Sequence, residues 1–462
     1  MLNLRVTALD GETLSHDGLE GPGRRDRWIM DLLKKEISRR SALIAGGLTS
    51  ALTAMGTRIA EAAGKGSGVV NYWNHFTGSD ERKAFDAVTA GFAKDMPAIS
   101  LKTQTITNED WMAKYVAAVA AQSGPDALMV TVARVNDMVR IGGLEDITAR
   151  MKSWSGAADS ASAAKAFTLK KKNYVVPVFS FIDWMYYRKD WLEAKGIKTP
   201  PKNLDEFRRT AIEITDPSKG RYGFGLRGGA GGGGFVPQIL QAFNGPLINP
   251  TTLRPTLSLA ATIDAMNFWV NLYIKDKVVP PTTTGDGYTQ MTQAFATGKT
   301  GMIMHHTGSF TLLGQTLKYG TEVETAERPM GPKGTMCYTS PLGNGLFKGT
   351  KNPDAAWDWI TYWGSADAQV DFLKVTGYFP TSKAAAKNSF ITGTPQFKPA
   401  IAALDNGFAD YTFLGYDNWK ANVCLPELQK ALNGQQTAEA AARNIWREFR
   451  KMANANAAAV VR

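Results

Sequence analysis

The chain is poor in the residues that build metal centres and covalent frameworks. Its 462 residues include two cysteines and four histidines. Cys337 and Cys424 lie far apart in sequence, which permits a single disulfide and equally permits two separate small apolar side chains. His305 and His306 are adjacent, and neighbouring residues of a strand point to opposite faces, so the pair is not expected to chelate one ion. Neither a nucleophile elbow, a metal-binding helix pattern nor a Cys/His spacing is present, which argues against an enzyme; no cofactor is expected. Basic residues outnumber acidic ones by 53 to 42, a net charge of +11, yet Lys170 to Lys172 is the longest basic run. Without a dense basic stripe, nucleic acid is not an expected partner, and the charge reads as a solubility feature.

Long apolar runs are missing too. Ile44 to Met55 is the weakly apolar stretch near the start, rich in Ala, Gly and Thr and too short to span a bilayer comfortably. It follows Ser38-Arg39-Arg40-Ser41 and precedes the triplet Ala60-Glu61-Ala62. A charged start, a short apolar stretch and an A-x-A site make an export signal, and the paired arginines mark it as a twin-arginine signal with cleavage near Ala62. Residues 1–29 are unlike a signal n-region, so Met30 is the expected translation start. No cysteine sits near the cleavage site to carry a lipid anchor, and a free periplasmic protein is the expectation.

The remaining length exceeds what one compact core accommodates, so two lobes are expected. Val69 to Trp73 and Leu101 to Thr105 read as strands. Helices follow each: one carries Phe85, Val88 and Phe92 on a single face, the other starts with Asn108 as cap and aligns Trp111, Tyr115 and Val119. Ala127 to Val132 and Tyr222 to Leu226 read as further strands. Strand alternating with helix predicts a mostly parallel, open α/β sheet. Arg227 to Gly234 holds six glycines; lacking a following Lys-Ser/Thr it is no phosphate loop and reads as a flexible loop. Asn352 with Pro353, and Ser365 with Gly377, bracket two later helices, and a last helix runs from Thr437 to about Met452.

Tyr174 to Ile214 is the most informative segment. Val175 to Met185 is apolar, aromatic and β-branched around Pro177, which favours extended chain. Gly196 stops a short helix, Pro200-Pro201 forces extended backbone, and Asn203 with Glu206 forms a capping pair for a helix that buries Leu204, Phe207, Ala211 and Ile214.

This grammar resembles the signature of extracellular solute-binding proteins of bacterial ABC importers, in the sugar-binding group related to maltose-binding protein. Val176-Pro177, Met185 to Trp191, Ala194 to Ile197 and Pro200-Pro201 through Phe207 fill the family pattern, with Arg188 where the family has Asn and Asn203-Leu204 where it has Thr-Trp. Gly124-Pro125-Asp126, Ala294 to Met302, Gly308-Ser309-Phe310, Asn352 to Trp357 and Tyr378-Phe379-Pro380 follow in the family's order, so the resemblance spans about Val69 to Met452.

The resemblance implies an α/β, two-lobed periplasmic binding protein fold, type II-like, with discontinuous lobes, a hinge and a central cleft. Residues 1–62 would be the N-terminal extension and signal. One lobe would hold 65–180 and 342–380, the other 181–341 and 381–455. A monomer would capture a sugar, oligosaccharide or polyol by hinge closure and hand it to the permease subunits of an ABC importer; a polyamine, a phosphorylated solute and an exported carbohydrate-active enzyme are the alternatives. By family position the cleft-facing candidates are His75, Phe76, Thr77, Asp126, Asp183, Trp184, Ser309, Phe310, Asn344, Tyr378 and Trp419, aromatic platforms for sugar faces and polar partners for hydroxyls.

Overall fold

The computed structural model describes residues 66–107, 110–249, 252–406, 408–409 and 411–460. The expected export signal, the Met30 start and the Asn108 cap lie outside them. Among the described residues no helix is long and apolar enough to cross a membrane.

The first half opens with β1 (Gly68–Asn74), α1 (Ser79–Asp95), β2 (Ile99–Thr105), α2 (Trp111–Ala120), β3 (Ala127–Thr131) and α3 (Val132–Ile141). β2, β1 and β3 pair in parallel, as strand–helix alternation requires. The sheet then departs from the mostly parallel expectation. β4 (Val176–Arg188) and the later β7 (Tyr338–Leu346) enter it antiparallel, giving the order β4–β7–β3–β1–β2, closed at the β4 edge by the two-residue strand Phe379–Pro380. These two long strands return from distant sequence, a pairing that local periodicity does not encode.

β4 is the pivotal element. Its residues Val176 to Ile182 pair with β7, whereas Asp183 to Arg188 pair with β5 (Met302–His306) and β6 (Val323–Ala326). Ten of its thirteen residues are buried, which explains how one strand serves two sheets, since a strand covered on both faces needs no polar alternation. Pro177, which cannot donate to a ladder, sits where the β4–β7 register shifts, as proline in a sheet interior demands.

Between β4 and β6 run α4 (Leu204–Ile214), α5 (Phe235–Asn244), α6 (Leu259–Ile274) and α7 (Tyr288–Ala296); after β7 come α8 (Pro353–Trp363), α9 (Ala366–Thr376), α10 (Leu425–Leu432) and α11 (Ala438–Val460). Asn203 Oδ1 accepts from the Glu206 amide at 2.9 Å and the Glu206 carboxylate accepts from Asn203 Nδ2 and the Lys202 amide, so α4 starts as its sequence predicts. Ser365 caps α9 and Gly377 ends it in the left-handed conformation (φ 73°). Asn352 departs from expectation: its Nδ2 bonds the Val69 carbonyl at 3.1 Å, tying α8 to β1 in place of capping α8. Tyr222 to Leu226 forms only isolated bridges, to Thr300 and Ile303, because its amides alternate between Val278 and the 299–302 segment. The last helix extends eight residues past Met452.

One hydrophobic core gathers residues between 70 and 179 with residues 342 to 378. Its centre is aromatic: Tyr72, Phe76, Phe85, Trp359, Trp363 and Phe372 touch with centroid separations of 5.3 to 6.1 Å, each such pair contributing about 0.5–1.5 kcal/mol beyond area burial. A second core gathers residues between 185 and 336 with residues 413 to 453. A third packs Ile182, Trp184 and Tyr186 against Phe295, Leu313, Phe379 and Phe397. Cys337 and Cys424 are separate, buried free thiols.

Candidate functional site

A crevice runs where the first core's loops face those of the second, over the point at which β4 changes partners. It has an outer chamber of about 650 Å³ and an inner one of about 160 Å³. Phe181, Arg227, His305 and His306 line both, forming the wall between them.

From the first core, the β1–α1 loop brings His75, Thr77 and Gly78 to the outer chamber, and α1 adds Asp80 and Glu81. Glu81 is fixed from two sides: Oε2 accepts from the Gly78 amide at 2.8 Å and Oε1 from the Tyr378 hydroxyl at 2.5 Å. His75 packs edge-on against Trp111, and burial, with the positive charge of Arg134, lowers its pKa to about 3. It is a neutral imidazole at physiological pH.

From the second core, β5 ends in His305 and His306, the six-glycine loop carries Arg227, and Tyr288 opens α7. Arg227 Nε donates to the Ala230 carbonyl at 2.6 Å, and burial depresses the guanidinium's pKa. The loop is compact, not loose: a Cβ on Gly233 would lie 2.1 Å from the Lys420 carbonyl oxygen. Tyr288 stacks on His305 with centroids 4.8 Å apart, and His306 stands over Phe181 at 4.4 Å. Tyr288, His305, His306, Phe181 and Tyr378 thus form a continuous aromatic floor that crosses from one core to the other.

In the inner chamber, the Asp183 carboxylate is held by Arg328 Nη2 at 3.0 Å and Gln238 Nε2 at 2.9 Å, and Arg328 also bonds Gln238 Oε1. Arg328 is fully buried, its guanidinium over the Phe235 ring. Such a buried cation persists only with its acid partner and fixed hydrogen bonds. Among the described residues no group of three or more His, Cys, Asp or Glu could hold a metal ion.

Of the residues singled out in the sequence, His75, Thr77, Asp183 and Tyr378 meet at this crevice. Ser309 lies just behind it, 2.8 Å from His305 Nδ1. The others lie elsewhere. Phe76 is at the centre of the first core. Asp126 braces a strand end through the Asn71 amide (2.8 Å) and the Thr350 hydroxyl (2.5 Å). Trp184 and Phe310 pack on Phe397, Asn344 accepts from the buried Tyr72 hydroxyl at 2.6 Å, and Trp419 packs on Phe449. A larger recess of about 1340 Å³ lies between Tyr174 and Phe413, where Arg140, Lys170, Lys172 and Gln241 stand among apolar side chains.

The profile of the bacterial extracellular solute-binding protein family matches residues 78–370, which includes most of the crevice walls. The chain belongs to that family. A Brucella abortus protein named only as a binding protein is 25% identical over 327 residues, 69% of this chain and 78% of its own. The maltotriose-binding protein of Pyrococcus abyssi is 23% identical over 321 residues, covering 68% of this chain and 67% of that one. The GacH receptor of Streptomyces glaucescens, solved unliganded and with acarbose, superposes with a TM-score of 0.76 at 22% identity, covering 84% of this chain and 99% of that one. The fold is therefore the two-lobed α/β periplasmic binding protein fold.

For this solute-binding protein, sequence reasoning missed Arg227, Tyr288, Gln238 and the histidine pair. It weighs His305 and His306 only as a metal pair; they are the last two residues of β5, His306 in extended conformation, and their rings come within 3.9 Å between centroids. Arg227 was visible as the cation leading the glycine run, and that adjacency was the usable signal.

Proposed function

We propose that the protein is the periplasmic solute-binding subunit of an ABC importer, capturing a sugar, oligosaccharide or polyol by hinge closure and delivering it unchanged to the membrane permease. Residues 65–180 with 342–380 would form one lobe and 181–341 with 381–455 the other, with β4 and β7 as crossing strands. The observation that carries this reading is the crevice walled by both cores over the partner change in β4, with an aromatic floor for sugar C–H faces and carboxylates, amide and imidazoles for hydroxyls. A maltotriose-binding relative and an acarbose-binding structural neighbour support the sugar class. In this reading Glu81 and Asp183, each held in fixed hydrogen bonds, serve binding and not turnover.

Export by the twin-arginine signal with cleavage near Ala62, and action as a monomer, belong to the same reading. Thermal-shift screening of the mature protein against sugars, polyols, polyamines and sugar phosphates tests it. A rise in Tm with a neutral sugar or polyol, recovered chemically intact, is the expected result. A response confined to polyamines or phosphates, or product accumulating over many turnovers, would contradict it.

A further inference from the structure

We propose that His306 determines solute specificity by aiming its Nε2–H, a single uncharged hydrogen-bond donor, at an oxygen of the bound sugar or polyol. This rests on the reading of the protein as a sugar or polyol carrier.

The tautomer follows from geometry. His306 closes β5 in extended conformation (φ −82°, ψ 166°), and its Nδ1 accepts from the Gly308 amide at 3.1 Å. An imidazole nitrogen that accepts carries no hydrogen, so in the singly protonated ring the hydrogen is on Nε2. That nitrogen has no hydrogen-bond partner among the described residues, and the ring lines both chambers.

The ring is also held in place. His305 lies 3.9 Å away between centroids, Phe181 4.4 Å, and Tyr378 stands edge-on at 5.9 Å. Gly308 closes the clamp: a Cβ there would lie 2.7 Å from His306 Nδ1 and 2.1 Å from the Tyr378 ring. His305 has a different role. It is buried, with its Nδ1 2.8 Å from the Ser309 hydroxyl, and it supports the ring that faces the solute. Burial and the charges of Arg227 and Arg328 keep the His306 pKa near 3, which leaves the donor uncharged at physiological pH. An uncharged N–H suits a hydroxyl or ring oxygen; a fully protonated polyamine has no lone pair to offer it.

Two substitutions separate the donor from the ring. His306→Phe keeps the stack and removes the N–H; His306→Gln supplies a donor on a different frame. Calorimetric titration of mature wild type and both variants with the sugar or polyol found by thermal-shift screening should show about tenfold weaker binding for His306→Phe and partial recovery for His306→Gln. Nitrogen-15 NMR of histidine-labelled, ligand-free protein, with His306→Phe assigning the signal, should show a protonated Nε2 and a bare Nδ1 that respond to the solute. Unchanged affinity in His306→Phe, or a proton on Nδ1, overturns the proposal alone. A wild type that takes up no sugar or polyol overturns the carrier reading and this proposal with it.

Discussion

Arg134 Nε lies 3.2 Å from Asp417 Oδ2, joining residues 283 positions apart. Arg134 is on α3, whose buried side chains belong to the first core, and Asp417 is in the helical turn Tyr416–Trp419, which packs in the second. Lys420 adds a second cation 3.4 Å from the same carboxylate. If the crevice opens and closes, this ion pair exists only when it is closed. A double-mutant cycle of Arg134→Gln and Asp417→Asn, read as solute affinity, should give a coupling of about 0.5–1 kcal/mol that shrinks with added salt. Additive single effects would show that the pair does not report closure.

Breaking the inner-chamber network should be costly. Arg328→Met leaves the Asp183 carboxylate buried without its cation and should destabilise the fold by about 3–5 kcal/mol. Chemical denaturation measures this, and the combined replacement Asp183→Leu, Gln238→Leu, Arg328→Met should lose less than Arg328→Met alone. A larger loss in the triple variant would mean that the network stabilises by itself.

The glycine loop should resist even a methyl group. Gly233→Ala places a Cβ against the Lys420 carbonyl, so the loop or the 420–424 segment must shift, at a cost of about 1–3 kcal/mol. Gly234→Ala, where a Cβ meets nothing within 4 Å, should be nearly neutral by the same denaturation measurement.

Stability should fall in acid. His75 and His306 titrate near 3 in the folded protein against 6.5 when free, chiefly through burial, and His305 is lowered for the same reason. Between these values the unfolded chain binds more protons than the folded one, so the stabilisation is complete above pH 6.5 and is lost as pH falls towards 3. Thermal unfolding from pH 7 to pH 4 should show a steep drop in Tm, made shallower by His75→Phe.

Reducing agent should leave the Tm unchanged, because Cys337 and Cys424 are unpaired. Burial raises the Cys337 thiol to about 12 and Cys424 well above its ordinary range. A thiol reagent at neutral pH should modify both only after denaturant is added.

The sequence was most legible where structure is local. Asn203 with Glu206 and Ser365 with Gly377 carry their capping chemistry within a few residues, and the apolar, aromatic and β-branched run from Val175 to Met185 marked extended chain. The candidate site was legible in part. His75, Thr77 and Tyr378 sit at element ends that an α/β arrangement turns towards a crevice, and Asp183 sits where β4 changes partners. Asn344 and Asp126 sit near such ends as well, but the Tyr72 hydroxyl and the Asn71 and Thr350 groups, brought in by sheet pairing, take up their polar atoms. Phe76 and Trp419 were drawn inward by aromatic clusters assembled from distant helices. His306 could not be read from alternation, because what orients its ring is the turn at Gly308.

The most direct test of the central claim is a distance across the crevice. Spin labels on Thr77→Cys and Thr289→Cys, in opposite walls of the outer chamber, leave the buried native thiols unlabelled, and pulsed dipolar spectroscopy reads their separation. The account predicts a shorter, narrower distance distribution on saturation with the sugar or polyol that raises the Tm. The same distribution with and without bound solute would contradict it.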